Sequence, residues 1–393
     1  MRAVIGLVGL GAVLGCGGQA PAGAPRMERA QVRGGGGAAS AAPARARKPP
    51  LLLADFAPKS MLHAQFHDVR RARFPVIDFH QHVNDRLNAG GPGLAFPPDK
   101  LLAMMDAANV RTIVILTGPR GDDLSSLVDA LVKPHPGRFV VFTQVDWARA
   151  DEPDFASREA ALLADNVARG ARGLKVLKDL GLYHRDKSGK LLAIDDPRFD
   201  PIWQAAGRLG IPVAIHSGDP EAFFLPADAG NERYDELWAH PEWSFASAGV
   251  PSLRELLAAR DRVIARHPGT TFVALHVGGW PENLDYVSEL LARHRNAYVE
   301  LGARQAELGR QPRRARRLFM EHADRILFGT DFWPSAAMYT SHFRWLETDD
   351  EHFPYHGYPD QGRWYIYGLG LPDAILRKVY RDNAAKVLAP HNR

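Results

Sequence analysis

Residues 74–83 read Phe-Pro-Val-Ile-Asp-Phe-His-Gln-His-Val, which is the pattern of a buried β-strand that ends in two histidines. Alternate side chains of a strand point to opposite faces, so His80 and His82 are expected to share one face. Burying two neighbouring imidazoles at the end of an apolar strand costs free energy unless something binds them. A divalent metal ion is the obvious candidate. The alternative is a pair of ordinary satisfied or exposed histidines, so the rest of the chain must decide.

Short apolar runs alternate with helical patterns from residue 74 onward. The runs consist mostly of Val, Ile, Leu and Phe, which is typical of parallel strands covered on both faces. Eight such units in about 270 residues predict an α/β fold, a (β/α)8 TIM barrel. A doubly wound open sheet is the alternative, but no Gly-x-Gly-x-x-Gly follows the first strand. The predicted strands are 76–83, 112–117, 139–145, 173–178, 212–217, 271–277, 297–301 and 326–331.

The first fifty residues have the composition of an export signal followed by a tether. Residues 3–14 are apolar but too short to span a membrane, and Cys16, the only cysteine, follows them. This arrangement resembles a bacterial lipobox, in which the cysteine is lipidated; cleavage after residues 22–24 would instead release a soluble exported protein. Residues 17–50 are runs of Gly, Ala, Pro and Arg that cannot bury a core, so we expect a disordered tether.

These features divide the chain into a signal at 1–16, a tether at 17–50 and a folded barrel at 51–393. Export to the bacterial periplasm or cell envelope follows, with membrane attachment only through a lipid on Cys16. Residues 1–50 carry a net charge of +6, so residues 51–393 carry −2 of the total of +4. The folded part therefore offers no case for nucleic acid. The expected partner is a small-molecule substrate, and a homodimer is an open alternative.

Polar groups stand at the carboxyl ends of four predicted strands, where barrel enzymes place their chemistry. His80 and His82 end the first strand, His216 the fifth, His276 the sixth and Asp331 the eighth. Four imidazoles and a carboxylate at one rim predict a metal site. A set of nitrogen and oxygen ligands suits Zn²⁺ first, with Mn²⁺, Co²⁺ and Fe²⁺ as alternatives. Small residues precede three of these groups by two positions and leave room beside them: Ala214, Ala274 and Gly329.

The combination of these residues resembles the amidohydrolase superfamily. The similarity lies in Asp78-x-His80-x-His82, in the histidines that end strands five and six, and in Gly329-Thr330-Asp331. Within it, the chain is similar to the amidohydrolase-related branch that includes aminocarboxymuconate-semialdehyde decarboxylase, resorcylate decarboxylases and several lactonases. Residues 375–388 are similar to the last helix of that branch. The resemblance covers roughly residues 74–389.

The resemblance implies a set of metal ligands and one further histidine. Its implied ligands for one divalent ion are His80, His82, His216 and Asp331. It implies that His276 is a catalytic or substrate-binding residue.

Two lysines and two further acids have less certain roles. Lys175 is the better match to a lysine that is carboxylated and bridges two ions in some relatives, so a second metal depends on it. Lys175 could instead form an ion pair with the substrate or with Asp331, or its side chain could extend to the rim of the barrel. Lys178 is the other candidate for the bridging or substrate-binding lysine. Asp78 is a candidate partner of the liganding histidines, and Glu300 lies close in barrel order.

The leading expectation for function is metal-dependent hydrolysis of a lactone, ester or amide. In this interpretation Asp331 takes a proton from the metal-activated water and His276 stabilises the developing oxyanion. The first alternative is a non-oxidative decarboxylase or hydratase that acts on an aromatic or unsaturated acid, and the second is a non-catalytic metal-binding lipoprotein. A cation that can bind a substrate carboxylate would favour the decarboxylase, and Lys178, Arg304 and Arg344 are the candidates.

Two connections of the predicted barrel are unusually long. They comprise residues 218–251 and 332–371, and the second is rich in aromatic side chains. Long loops in compact domains often cover a binding site, so we expect these segments to lie over the carboxyl end of the barrel. Packing on the outer surface of the barrel is the alternative.

Overall fold

The computed structural model describes residues 49–83 and 96–389. The predicted signal, Cys16 and the tether up to residue 48 lie outside the described residues. The chain divides into two compact units, Met1–His63 and Ala64–Arg393. The described part of the first unit holds one short 3-10 turn, Leu53–Asp55, and several exposed apolar side chains.

Within the described residues of the second unit, eight strands form two parallel sheets. The first sheet has the order β1-β2-β3 and the second has the order β4-β5-β6-β7-β8. A parallel bridge between Thr143 and Leu174 joins β3 to β4, and the Phe79 N–H donates to the Phe328 carbonyl at 2.9 Å across β1 and β8. The strands follow one another around a barrel in chain order. Their bounds are β1 Val76–Gln81, β2 Val110–Ile115, β3 Phe139–Val141, β4 Leu174–Val176, β5 Val213–Ile215, β6 Phe272–Ala274, β7 Ala297–Glu300 and β8 Ile326–Leu327.

The strands stop earlier than the sequence patterns predict. The eighth was expected to run to residue 331, but β8 ends at Leu327, and β6 ends two residues before His276. The backbone turns away from the sheet at these points, since His276 has φ 57° and Asp331 has φ 53°. His82, His216, His276 and Asp331 therefore lie just beyond the strands, on the turns that leave them.

Helices follow the strands and cover the outside of the barrel. Their caps agree with the sequence: Ser252 and Glu255 form a capping box, and Gly210 adopts a left-handed conformation after α5. The helices are α1 Pro98–Ala108, α2 Gly121–Leu127, α3 Phe155–Ala168, α4 Asp179–Leu182, α5 Asp200–Leu209, α6 Tyr234–Ala239, α7 Leu253–Arg266, α8 Leu275–Gly278, α9 Leu284–Arg293, α10 Gln305–Arg310, α11 Pro312–Glu321, α12 Ala336–Glu347, α13 Asp373–Arg377 and α14 Asn383–Leu388. The short segments α4 and α8 each contain non-helical residues at a kink.

Apolar side chains fill the barrel below the polar strand ends. Alternate strand residues divide between the lumen and the surrounding helices, as the strand period requires. Phe79 and Phe142 meet edge to face in the lumen with ring centroids 5.6 Å apart. The lumen cluster also includes Val114, Ala214, Val273 and Leu327, together with Ala384 and Val387 of α14.

The long segment after β8 is partly helical, because it contains α12. Tyr339 and Trp345 of this helix are buried, and Trp345 lies against Phe319 of α11 at 6.4 Å between centroids. The Tyr339 hydroxyl donates to Asp78, so the same helix also contacts β1. Among the described residues, no helix combines the length and apolarity needed to cross a membrane.

Candidate functional site

His80, His82 and Asp331 form a compact group at the carboxyl end of the barrel. The Asp331 Oδ1 atom lies 2.9 Å from His82 Nε2 and 3.3 Å from His80 Nε2. One potential ligand atom from each residue lies within 4.8 Å of the others. The structure therefore brings three of the four predicted ligands together.

A second group shares His80 and adds two neighbours. His80 Nδ1 lies 3.1 Å from Glu300 Oε2, and the His276 backbone N–H donates to the same oxygen at 3.3 Å. His80, His276 and Glu300 also offer ligand atoms within 4.8 Å of one another. Sequence reasoning only noted Glu300; its signal is a carboxylate at the end of the otherwise apolar strand β7.

His276 is held by a backbone contact that leaves one ring nitrogen available. Its Nδ1 lies 2.9 Å from the carbonyl oxygen of Gly302, which can only accept, so Nδ1 carries the proton. Nε2 is then the lone-pair nitrogen, and it is buried without a hydrogen-bond partner among the described residues. An unpartnered buried lone pair can serve a metal ion or a substrate.

The predicted ligand His216 lies beside these groups rather than within either of them. Its ring centroid is 4.0 Å from that of His276. Its Nε2 lies 3.3 Å from Asp219 Oδ1, a contact that the sequence analysis did not foresee. Asp219 follows His216 by three residues on the turn after β5, so only the turn geometry reveals the contact.

Burial keeps three imidazoles of the site, those of His80, His216 and His276, in the neutral form that binds metal. It lowers the pKa of His80 and His276 well below the usual range, and that of His216 to about 4. Burial opposes ionisation of Asp331, but the imidazoles of His80 and His82 outweigh it and hold the pKa of this carboxyl well below its usual range. Neutral imidazoles beside an ionised carboxylate are the protonation states that a divalent cation requires.

The two lysines of β4 and its following turn have different surroundings. Lys175 is only 1% exposed, and no carboxylate of the described residues lies within 4.0 Å of its Nζ. Burial lowers its pKa to about 8, against the opposing charges of Asp331 and Glu300. Lys178 instead donates to Asp219. Lys175 is thus the lysine that faces the candidate site.

Asp78 connects β1 to the turn after β8 and to α12 by hydrogen bonds, and it does not contact an imidazole among the described residues. It accepts hydrogen bonds from the backbone of His80 at 3.2 Å, from Thr330 Oγ1 at 2.8 Å and from the Tyr339 hydroxyl at 2.9 Å. The pairing of β1 with β2 slips between Asp78 and Gln81, which breaks the simple alternation along the strand. Asp78 therefore positions His80 through the backbone.

The donor set fits a divalent metal ion. It combines two imidazoles with a carboxylate in one group, and the lone pair of His276 Nε2 lies unpartnered next to it. Close packing supports the arrangement: a Cβ at Gly302 would lie 2.9 Å from both His80 Nδ1 and Asp331 Cβ. A Cβ at Gly329 would overlap the Glu300 carboxylate. The space that the sequence analysis expected a small residue to leave at this position is therefore occupied by Glu300.

Comparisons with known proteins agree with the fold. A family model described as Amidohydrolase matches residues 77–389. A γ-resorcylate decarboxylase from Rhizobium sp. (strain MTP-10005) is 25% identical over 293 residues, which cover 68% of this chain and 77% of that protein.

Two solved structures are similar in fold. A 2,6-dihydroxybenzoate decarboxylase from Rhizobium has a TM-score of 0.51 at 17% identity, over 80% of this chain and 98% of that one. A dihydroxybenzoic acid decarboxylase from Polaromonas sp. JS666, with bound manganese and 2-nitroresorcinol, has a TM-score of 0.51 at 17% identity, over 80% and 97%. The predicted TIM barrel is confirmed.

Proposed function

Because the chain belongs to the amidohydrolase family, we propose that it is a metal-dependent enzyme that removes the carboxyl group of a hydroxylated aromatic acid without oxidation. The observation that carries this proposal is the buried ammonium of Lys175. It lies near Asp331 and Glu300, and no carboxylate of the described residues is within 4.0 Å of it. A buried cation beside the metal group suits a substrate that brings or develops negative charge.

The decarboxylase, an alternative in the sequence analysis, is better supported than hydrolysis. The expected hydrolysis of a lactone, ester or amide is not confirmed, since the matching curated relatives are decarboxylases. Family membership also supports an enzyme over a non-catalytic metal-binding protein.

A divalent ion would be held by His80, His82 and Asp331, with His216 and His276 adjoining. Such an ion, when bound, polarises and orients the substrate oxygens. Its identity stays a prediction: zinc suits the donor set, and the decarboxylase from Polaromonas holds manganese.

The residues of this chain can move the proton that the reaction needs. Asp331 is ionised, so it can accept the proton of a ring hydroxyl and deliver it to the carbon that bears the carboxylate. The carbon–carbon bond then breaks, its electron pair restores the aromatic ring, and CO₂ leaves. Lys175 stabilises the resulting phenolate, which takes a proton from solvent. His276, with Nδ1 fixed on Gly302, directs Nε2 toward the reacting group.

The test compares decarboxylation with hydrolysis in the metal-loaded full chain. We expect 2,6-dihydroxybenzoate to lose CO₂, followed by ultraviolet absorbance and gas release, while a panel of lactones and esters stays intact. Asp331→Asn should lower the rate about 10²- to 10⁴-fold. Asp129→Asn is the control, because Asp129 forms an exposed ion pair with Lys133 on the outer surface. Turnover of a lactone without loss of CO₂ from any aromatic acid would refute the proposal in favour of hydrolysis.

A further inference from the structure

The segment that leaves β7 is pressed against the candidate metal group. The Gly302 carbonyl oxygen holds His276 Nδ1, and the Ala303 N–H donates to the Thr330 carbonyl at 2.9 Å. Ala303 adopts a left-handed conformation with φ 53°, which raises the conformational energy of an alanine. The hydrogen bond from Ala303 to Thr330 holds the backbone here, so the next residue, Arg304, has a set position beside the site.

Arg304 is buried with an incomplete set of partners. It is 5% exposed; Nη1 donates to the Ala303 carbonyl at 2.8 Å, and Nε has no hydrogen-bond partner among the described residues. The nearest carboxylate oxygen is Asp219 Oδ1, at 3.8 Å from Nη2. A guanidinium offers five N–H donors and is expensive to bury unless an anion satisfies them.

Asp219 cannot fully neutralise Arg304, because it already serves two other groups. Lys178 donates to Oδ2, and His216 Nε2 lies 3.3 Å from Oδ1, the same oxygen that Arg304 approaches. A second anion beside Arg304 would complete its coordination.

The other cations considered for a substrate carboxylate are already paired. Arg344 donates to the buried carboxylate of Asp350 at 2.6 Å and lies 4.0 Å from the Phe353 ring centroid. Lys178 is held by Asp219. Of the three cations that the sequence analysis considered for a substrate carboxylate, Arg304 is the one that retains an unpartnered N–H donor among the described residues.

We infer that Arg304 binds the substrate carboxylate that leaves as CO₂, and thereby selects aromatic acids over neutral esters and lactones. This inference rests on the proposed function and assigns one residue to substrate recognition. The planar fork of a guanidinium matches the two oxygens of a carboxylate, whereas the point charge of Lys175 suits the single oxygen of the developing phenolate.

The test measures binding of two ligands that differ by the carboxylate alone. Isothermal titration of the metal-loaded full chain would compare 2,6-dihydroxybenzoate with 1,3-dihydroxybenzene, the same ring without the carboxylate. We expect Arg304→Met to weaken binding of the acid about 10- to 100-fold and binding of the neutral ring by less than about twofold. Arg262→Met is the matched control, because Arg262 forms an exposed ion pair with Asp195, and both affinities should stay unchanged.

A second variant keeps the test informative if Arg304→Met does not fold. Arg304→Lys preserves the charge but not the fork, so the acid alone should bind more weakly, by less than in the Met variant. Equal losses for both ligands, or no loss for either, would overturn the inference. Wild-type protein that binds the acid through Arg304 but releases no CO₂ would refute the proposed function and leave this recognition role standing.

Discussion

Single residues around the site adopt conformations that ordinary side chains avoid. His276, Val277, Ala303 and Asp331 all have φ between 53° and 57°, and all four lie in the turns that leave β6, β7 and β8. Left-handed backbone at such residues costs of order 1–3 kcal/mol each and persists where function requires it. In these turns, His276 Nδ1 lies 3.8 Å from Asp331 Oδ2.

Gly302 is the residue whose substitution tests this packing most directly. We expect Gly302→Ala to weaken binding of Zn²⁺ or Mn²⁺ about 10- to 100-fold, because its Cβ would lie 2.9 Å from both His80 Nδ1 and Asp331 Cβ and displace them. Competition with a chromophoric chelator measures this change. Gly269→Ala is the control, since a Cβ there meets no heavy atom within 4 Å. Unchanged metal affinity in Gly302→Ala would show that the site tolerates a shift of His80.

At the scale of elements, both the strands and the turns that follow them carry the site, since His80 lies in β1 and Glu300 in β7, whereas Asp331 lies on the turn after β8. Asp78, within β1, accepts hydrogen bonds from the backbones of His80 and Thr330 and from the side chain of Tyr339 on α12. The three elements hold their relative positions because one buried carboxylate accepts hydrogen bonds from all of them.

The elements that follow β5, β6 and β7 meet at a buried carboxyl group. Glu282 precedes α9, accepts a hydrogen bond from the Glu221 backbone at 3.1 Å, and has no partner for Oε2 among the described residues. Burial, followed by the charge of Glu307 on α10, raises the pKa of Glu282 to about 7, while Arg304 opposes the shift. The folded protein therefore retains a proton that the unfolded chain releases above about pH 4.5.

The stability of the protein should reflect this proton. As pH rises from about 4.5 to 7, Glu282 reduces the free energy of unfolding by up to about 3 kcal/mol, since each pKa unit corresponds to about 1.4 kcal/mol. We expect Glu282→Gln to leave stability at pH 4.5 almost unchanged and to raise it at pH 8, as measured by urea denaturation. Glu289→Gln, at an exposed pair with Arg293, is the control. Parallel pH profiles for wild type and Glu282→Gln would contradict the expectation.

At the scale of the whole molecule, the predicted export signal at residues 1–16 decides where the protein is expected to reside. We propose that Cys16 is lipidated after export. Intact-mass analysis of membrane-fraction protein should show a diacylglycerol-modified Cys16 as the first residue, and Cys16→Ser should leave the protein in the aqueous phase of a detergent partition. A mature N-terminus near residues 22–24 in an aqueous-phase protein would instead support the soluble exported alternative.

Much of the fold could be predicted because it depends on local patterns. The alternation of eight apolar runs with helical patterns predicted the strands, their order and their closure into a barrel. Strand ends were predicted up to four residues too long, as at β8, because hydrophobicity continues into the turn where hydrogen bonding stops. The pairing slip after Asp78 also has no sequence signal, since it depends on the neighbouring strand.

The sequence by itself determined the barrel, the presence of a metal-type cluster and its main residues, because strand periodicity places His80, His82 and Asp331 at one rim. Only the tertiary structure decided which side chains contact these residues. Glu300 lies against His80, Asp219 lies against His216, and Arg304 keeps an N–H donor that has no partner among the described residues. The first contact joins strands β1 and β7, which are far apart in sequence, and the second depends on how the turn after β5 folds back, so neither follows from a periodic pattern. Local pattern thus determines which groups reach the rim, and three-dimensional packing determines which of them remain available to a substrate.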